Sequence, residues 1–325
     1  ASVSYGGVMG DLRVLDMDLS IVIPVYRSAE ILARLVDEIL LHVVPLGLKF
    51  EIILINDRSP DDSWLVIQKI SERLPNILGV NLRKNCGQHN AIMAGLHEAS
   101  GKVIVMMDDD LQHLPRYIPS FLNEISNGSD VCYSRFQKMR QRYWKVLGSR
   151  FNGWVANLLL EKPRSLYLSP YKAISKGIRD LIVTYDGPYP YVDGLILLHT
   201  DNISVIDVEH QERSIGEGNY SFRKSLSLWV MMATGFSVKP LRLATFMGFV
   251  ISFIAFLLIG SLIIFKLYSD IEIEGWASLA TIGLFMGGVQ LIALGIIGEY
   301  IGRSYLKLNR KPQSTVKETT RKEYG

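Results

Sequence analysis

Three aspartates, Asp108, Asp109 and Asp110, follow directly on five apolar, strand-prone residues, Val103 to Met107. A short apolar run bounded by turn residues reads as a buried strand. The charges therefore fall where that strand leaves its sheet, and open α/β sheets bind ligands at the carboxyl ends of their strands. Asp108 and Asp110 are two apart, so an extended backbone points both the same way. Two convergent carboxylates suit a hard divalent cation, Mg2+ or Mn2+, and a site with few protein ligands leaves positions for phosphate oxygens. The expectation is a metal–diphosphate site; the alternative is an acidic, solvated turn.

Other residues extend that chemistry. Asp57 follows a second apolar run, 50–55, where a carboxylate serves either a ribose hydroxyl or base, or an Asx turn. The stretch Asn85 to Asn90, with Gln88 inside it, precedes a helical pattern. Free N–H groups at a helix start suit a phosphate or a sugar hydroxyl, although asparagine also caps helices for its own sake. His89 and His113 are lone histidines and are not assigned as metal ligands. Arg213 lies in a glycine-bearing loop, 210–220, where arginine can fork onto a diphosphate or sit in a plain surface loop. Residues 135–150 carry Arg135, Lys138, Arg140, Arg142, Lys145 and Arg150 around Tyr143 and Trp144. That pattern reads as an anion or membrane-surface contact, or as a solvated helix face; no RNP-type motif supports RNA. There is no GxGxxG and no GxxxxGK[ST], so a dinucleotide fingerprint and an ATPase P-loop are unsupported.

The elements that must position these groups alternate. Strands are expected at 19–25, 50–55, 77–82, 103–107, 131–134 and 203–208, with helices at 28–43, 64–74, up to Ala99, and 117–125. Ser28 is the expected N-cap of the first helix, with Glu30 in its first turn. Alternation at this spacing argues a parallel, doubly wound sheet. Three of its strand ends carry polar loops, 26–30, 56–63 and 108–113, which together build one cleft.

The chain has 325 residues, a net charge of +3 and 21% charged residues. Its mean hydropathy of +0.19 is high for a soluble protein, and the excess sits near the C-terminus. Two cysteines, Cys86 and Cys132, are too few for a disulfide framework or a Cys-based zinc site and read as free thiols. The first 18 residues lack the apolar stretch of a signal peptide and read as a flexible leader. Residues 221–238 form an amphipathic pattern with Trp229 and Met231, suited to a membrane interface. Residues 243–265 and 276–298 are two uncharged apolar runs, each long enough to cross a bilayer. The loop between them holds Asp270, Glu272 and Glu274 against Lys266; the outer flanks hold Arg213, Arg223, Lys224, Lys239 and Arg242, then Arg303, Lys307, Arg310 and Lys311. The positive-inside rule puts both termini and the catalytic half in the cytoplasm.

Taken together, IVIPVYRSAE (21–30), INDRSPDDS (55–63), NCGQHNAIMAG (85–95), MDDDLQHLP (107–115), ERSIGEGNYSF (212–222), PLR (240–242) and GEYIGR (298–303) resemble the bacterial polyisoprenyl-phosphate glycosyltransferases of glycosyltransferase family 2. These include the undecaprenyl-phosphate aminoarabinose and glucose transferases and are related to dolichyl-phosphate mannose synthases. GQHNAIMAG and GEYIGR look nearest to the aminoarabinose branch. The resemblance implies a GT-A-type catalytic domain over 19–220, an interfacial helix over 221–240, a two-helix transmembrane hairpin over 241–302 and a basic cytoplasmic tail over 303–325. It implies a UDP-sugar donor, a polyisoprenyl phosphate acceptor, membrane lipid, Mg2+ or Mn2+, an inverting reaction, a bacterial inner-membrane location and a homo-oligomer, often a tetramer. Nucleic acid is not an expected partner. Asp108, Asp110 and Gln112 are implied at the metal or diphosphate. Pro24, Tyr26, Glu30 and Asp57 are implied around the nucleotide, with Asn85, Gln88, Asp108 and Asp109 beside them. Arg213 matches the family's arginine near the diphosphate or lipid phosphate, and Arg135, Arg140, Arg142, Lys145 and Tyr220 are the expected acceptor contacts. The family's acidic-aromatic-glycine or Asp-Phe-Arg stretch is missing before Tyr171, where 163–172 reads PRSLYLSPYK; Asp193 is the expected substitute contact. Two rivals remain: a processive polysaccharide synthase, whose QxxRW spacing Gln141 to Trp144 does not satisfy, and a membrane-tethered nucleotide-sugar sensor.

Overall fold

The computed structural model describes residues 17–136, 166–209, 239–268 and 275–321. The chain divides into two compact units. The first takes Ala1–Arg142, Arg164–Asn219 and Pro312–Gly325; the second takes Tyr143–Pro163 and Tyr220–Lys311.

The first unit is built on strands β1 (Leu19–Val25), β2 (Phe50–Asn56), β3 (Ile77–Leu82) and β4 (Val103–Met106). Nearly every residue in them is buried, as expected for strands covered on both faces. Helices α1 (Leu32–Val43), α2 (Ser63–Arg73) and α3 (Gln88–Glu98) join them, and these crossovers make the four strands parallel. In α1, Leu32, Leu35, Val36, Ile39 and Val43 are buried, the single stripe that a 3.6-residue period places on one face. Gly95 of α3 lies so near the sheet that an added Cβ would stand 2.5 Å from Val22 and 2.6 Å from Ile55.

After α4 (Ile118–Ser126) come β5 (Val131–Phe136), β6 (Lys172–Ser175), α5 (Lys176–Ile182), α6 (Val192–His199), β7 (Ile203–Val208) and β8 (Val316–Thr319). The sheet has eight strands in the order β7-β5-β6-β4-β1-β2-β3-β8. It is mixed and not wholly parallel as its first half predicts: β6 runs antiparallel to β4 and β5, and β8 antiparallel to β3. Both reversed strands are four residues long and lack a strand pattern of their own. Their register comes from the neighbours they complete.

Ser28 is also placed differently from the expectation. Helix α1 starts at Leu32, its cap position is Ile31, and no side chain caps it. The Ser28 carbonyl accepts the Ile31 and Leu32 N–H groups at 3.0 and 3.1 Å, which leaves the hydroxyl for the site described below.

The second unit holds two long helices, α7 (Lys239–Tyr268) and α8 (Trp276–Leu308). Along α7, Phe246, Met247, Phe249, Ile254, Phe256 and Leu258 are all exposed and spread over more than half of the helix circumference; an apolar surface that wide calls for an apolar surrounding. Among the described residues one stretch, Phe285–Leu308, is long and apolar enough to cross a membrane, and Ala244–Leu258 is a shorter apolar stretch. Of the two expected spans, the described residues thus support one candidate, and a pair is not shown.

Candidate active site

Four loops leave the carboxyl ends of β1, β2, β3 and β4. Each contains a residue with a left-handed backbone: Arg27 (φ 60°), Arg58 (φ 53°), Gly87 (φ 88°) and Leu111 (φ 58°). Three of the four are not glycine, and each such residue costs about 1–3 kcal/mol unless its surroundings hold it. The hydrogen bonds that hold these loops run from one loop to another.

Asp109 ties the β4 loop to the β1 loop. Its carboxylate accepts the Tyr26 N–H at 3.0 Å and a very short bond from the Ser28 hydroxyl. Burial pushes this carboxyl up to about 6, against those two hydrogen bonds and helped by the charges of Asp108 and Asp110. Asp61 ties the β2 loop to the same place, accepting the Ala29 N–H at 3.1 Å and the Ser63 hydroxyl at 2.6 Å. Burial alone would raise Asp61; hydrogen bonds from Ser59, Ser63 and the Ala29 amide outweigh it and hold the carboxyl at about 2. Ser59 accepts the Arg27 N–H at 2.7 Å, and Ser63 accepts the Ser28 N–H at 3.2 Å.

Asp57 ties the β2 loop to the β3 loop. Its two oxygens accept the N–H groups of Cys86 at 2.7 Å and Gly87 at 2.9 Å, while the Asn85 amide donates to the Asp57 carbonyl at 3.0 Å. Burial raises the Asp57 carboxyl against those two amide bonds. Asp57 and Asn85 thus shape the entrance to α3.

Asp108 accepts from the Gln88 side chain at 2.6 Å, and its own N–H donates to His113 Nδ1 at 3.0 Å. Asp110 accepts the Gln112 N–H at 3.1 Å, a two-residue turn. His113 is buried and stacks on Tyr171, ring centroids 5.0 Å apart; the Tyr171 hydroxyl donates to the Leu114 carbonyl at 2.9 Å. The β4 loop is thereby braced from beneath. Among the described residues no three His, Cys, Asp or Glu side chains gather to hold a metal ion by themselves. Asp108, Asp110 and Gln112 supply hard oxygen donors. That set suits Mg2+ or Mn2+ when substrate phosphates complete the coordination.

Beside this rim lies a buried ion pair that sequence reasoning missed. Lys172 opens β6 opposite Met106 and contacts Asp193 in the first turn of α6. Asp193 also accepts the Tyr133 hydroxyl at 3.0 Å, and all three side chains are buried. The carboxylate expected to replace a lost substrate contact is thus internally engaged. Lysine at the start of a short apolar run was the one signal for it.

Of the remaining expected residues, Pro24 is buried within β1, and Tyr26 and Glu30 are exposed on the loop that follows. Arg135 forks onto Asp207 of β7 at 2.6 and 3.0 Å, and that pairing raises its guanidinium further. Arg140, Arg142, Lys145, Arg213 and Tyr220 lie outside the described residues, as do the expected helix over 221–238 and the residues 163–165.

Residues 20–185, from β1 into the turn after α5, match the glycosyl transferase family 2 profile. The chain belongs to glycosyltransferase family 2. Its similarity to single relatives runs further along the chain. The undecaprenyl-phosphate 4-deoxy-4-formamido-L-arabinose transferase of Pectobacterium atrosepticum is 31% identical over 309 residues, covering 93% of each chain. That of Proteus mirabilis is 30% identical, covering 91% of each chain, and that of Salmonella paratyphi B is 31% identical, covering 92% of this chain and 93% of its own. These place the family-2 transferase among the bacterial polyisoprenyl-phosphate glycosyltransferases. Among solved structures, glucosyl-3-phosphoglycerate synthase of Mycobacterium tuberculosis overlaps 72% of this chain and 84% of its own at 18% identity and a TM-score of 0.49, too loose a likeness to carry an argument. The family-2 profile spans all four strand-end loops; the relatives also span the helices of the second unit.

Proposed function

We propose that this chain moves a sugar from a UDP-sugar onto undecaprenyl phosphate, or a similar polyisoprenyl phosphate, at the cytoplasmic face of the bacterial inner membrane. One observation carries the reading: Asp108 and Asp110 stand at the carboxyl end of β4, in a rim whose loops are hydrogen-bonded to one another through Asp109, Asp61 and Asp57. Such a rim is pre-organised for a nucleoside diphosphate. The relatives' names supply the acceptor class, and 4-deoxy-4-formamido-L-arabinose is the first donor sugar to try.

In this reading the loops after β1, β2 and β3 hold the nucleotide, with Tyr26, Glu30, Asp57, Asn85 and Gln88 around it. Asp108 and Asp110, with Gln112 beside them, would hold a Mg2+ or Mn2+, which when bound would supply Lewis-acid stabilisation of the departing diphosphate. Arg213 shares the developing charge. The acceptor phosphate is anionic at neutral pH, so the reaction needs no general base. The pairing of Asp193 with Lys172 and Tyr133 is consistent with that. A single displacement inverts the anomeric centre. Helices α7 and α8 serve as a membrane hairpin, the acidic residues between them facing out and the basic flanks facing the cytoplasm. Arg140, Arg142 and Lys145 guide the lipid phosphate.

Calorimetric titration of the detergent-purified chain with UDP and Mg2+ or Mn2+ tests the site. Metal-dependent UDP binding is expected, weakened about tenfold or more in Asp110→Ala, the loss that follows from removing a charge-assisted contact. A wild-type chain that binds no UDP with either metal contradicts the reading.

A further inference from the structure

The chain leaves the first unit for the long helices and returns to it at Pro312. The returning segment is hydrogen-bonded to the first unit along its length. Gln313 donates to the Tyr185 carbonyl at 2.6 Å, the Thr315 carbonyl accepts the Arg83 N–H at 2.8 Å, and β8 then pairs with β3. Thr320 closes the segment, its hydroxyl accepting the Gly79 N–H at 2.8 Å and its own N–H donating to the Gly79 carbonyl at 2.9 Å.

From this edge strand a line of side chains crosses the sheet towards the rim. Glu318 accepts the Asn81 amide at 2.7 Å; Asn81 accepts the Asn56 amide at 2.8 Å; Asn56 accepts the Ser59 N–H at 3.2 Å. Asn56 and Asn81 stand opposite each other in the β2–β3 register, and Asn81 stands opposite Glu318 in the β3–β8 register. Both asparagines are buried, where an amide left without a partner is costly. Each asparagine both donates and accepts here, so the orientation of one amide sets that of the next. The line ends at Ser59, whose hydroxyl receives the Arg27 N–H and donates to Asp61. Arg27 and Arg58, the two left-handed residues of these loops, sit on either side of that ending.

We propose that Glu318 is a positioning residue for the nucleotide rim: from a strand added after the membrane helices, it orients Asn81 and Asn56 and so holds the 57–62 loop in its strained conformation. The segment following the long helices is then a part of the donor site. That the held rim receives a nucleotide rests on the function proposed above; that Glu318 holds the loop does not.

Hydrogen exchange on the full chain in detergent separates the two. In Glu318→Ala, the amides of 56–63 and 26–29 are expected to exchange about tenfold faster, the loss of one charge-assisted bond, while α4 keeps its protection. Glu318→Gln retains the accepting oxygen and is expected to restore slow exchange. Asn81→Asp keeps the side-chain volume and the oxygen facing Asn56 but sets a second carboxylate against Glu318, and is expected to repeat the Glu318→Ala result. Faster exchange confined to 315–321, or a rise that includes α4 in both variants, would overturn the proposal, because Glu318 would then be an edge contact alone. UDP titration of the same samples adds the functional arm: a weaker Kd in Glu318→Ala recovered in Glu318→Gln is expected, and an unchanged Kd in the alanine variant would overturn the link to the donor site. A wild-type chain that does not bind UDP would sink the proposed function and leave the exchange result standing.

Discussion

The aspartate triplet divides its labour by partner. Asp109 meets Tyr26 and Ser28, Asp108 meets the Gln88 side chain, and Asp110 closes a turn with the Gln112 N–H. The triplet at a strand end was legible in the sequence. The partners of Asp109 were not, because they lie more than eighty residues away and nothing local marks them. Asp109→Ala strands the Tyr26 N–H and the Ser28 hydroxyl, so KM for the nucleotide sugar is expected to rise about ten- to a hundredfold with a smaller change in kcat. Asp109→Asn keeps an accepting oxygen and should fall between; steady-state kinetics with saturating lipid acceptor distinguishes the two. Gly87 makes a similar point with no side chain. Its φ of 88° and ψ of 157° belong to a region open essentially to glycine alone, and space is not the obstacle, since an added Cβ would meet nothing within 4 Å. Gly87→Ala is expected to cost about 1–3 kcal/mol from backbone strain, read as a lower unfolding midpoint and weaker UDP binding.

At the scale of elements, strands and helices with their own periodicity were legible: β1 to β4, α1 to α4 and β7 fall close to where the apolar spacing puts them. The strands that escaped, β6 and β8, are four residues each and complete an edge or a gap left by others, and the short helices α5 and α6, of 7 and 8 residues, escaped with them. The N-cap of α1 escaped for a related reason, since Ser28 is drawn to Asp109 by tertiary contact. Helix α3 carries a prediction of its own. His89 in its first turn packs edge-on to Tyr191, ring centroids 5.0 Å apart. Burial lowers its pKa from 6.5 to about 4, with Asp193 opposing and Lys172 assisting. A base depressed in this way takes up its proton less readily folded than unfolded. Its stabilising contribution is therefore complete above about 6.5 and lost as pH falls towards about 4. Thermal unfolding of wild type between those values should lose about 2 kcal/mol that His89→Gln does not lose; equal pH slopes in the two proteins would count against it.

At the scale of the whole molecule, the catalytic unit is made from three separated pieces of chain, and the long helices lie between the second and the third. A soluble fragment ending before α7 would therefore lack β8 and Glu318. The apolar helices were legible from hydropathy. The return of the chain to the sheet was not, because the residues after Lys311 have the composition of a polar tail. The measurement that bears most directly on the account is the product itself. The purified chain is incubated with undecaprenyl phosphate, Mg2+ or Mn2+ and a panel of UDP-sugars that includes 4-deoxy-4-formamido-L-arabinose. Released UDP and the lipid fraction are then followed together, the lipid by mass spectrometry. The account predicts lipid-dependent UDP release with one donor, a matching lipid-linked monosaccharide, and loss of both in Asp110→Ala. A polymeric product, or a lipid-linked sugar formed equally well by Asp110→Ala, would contradict it.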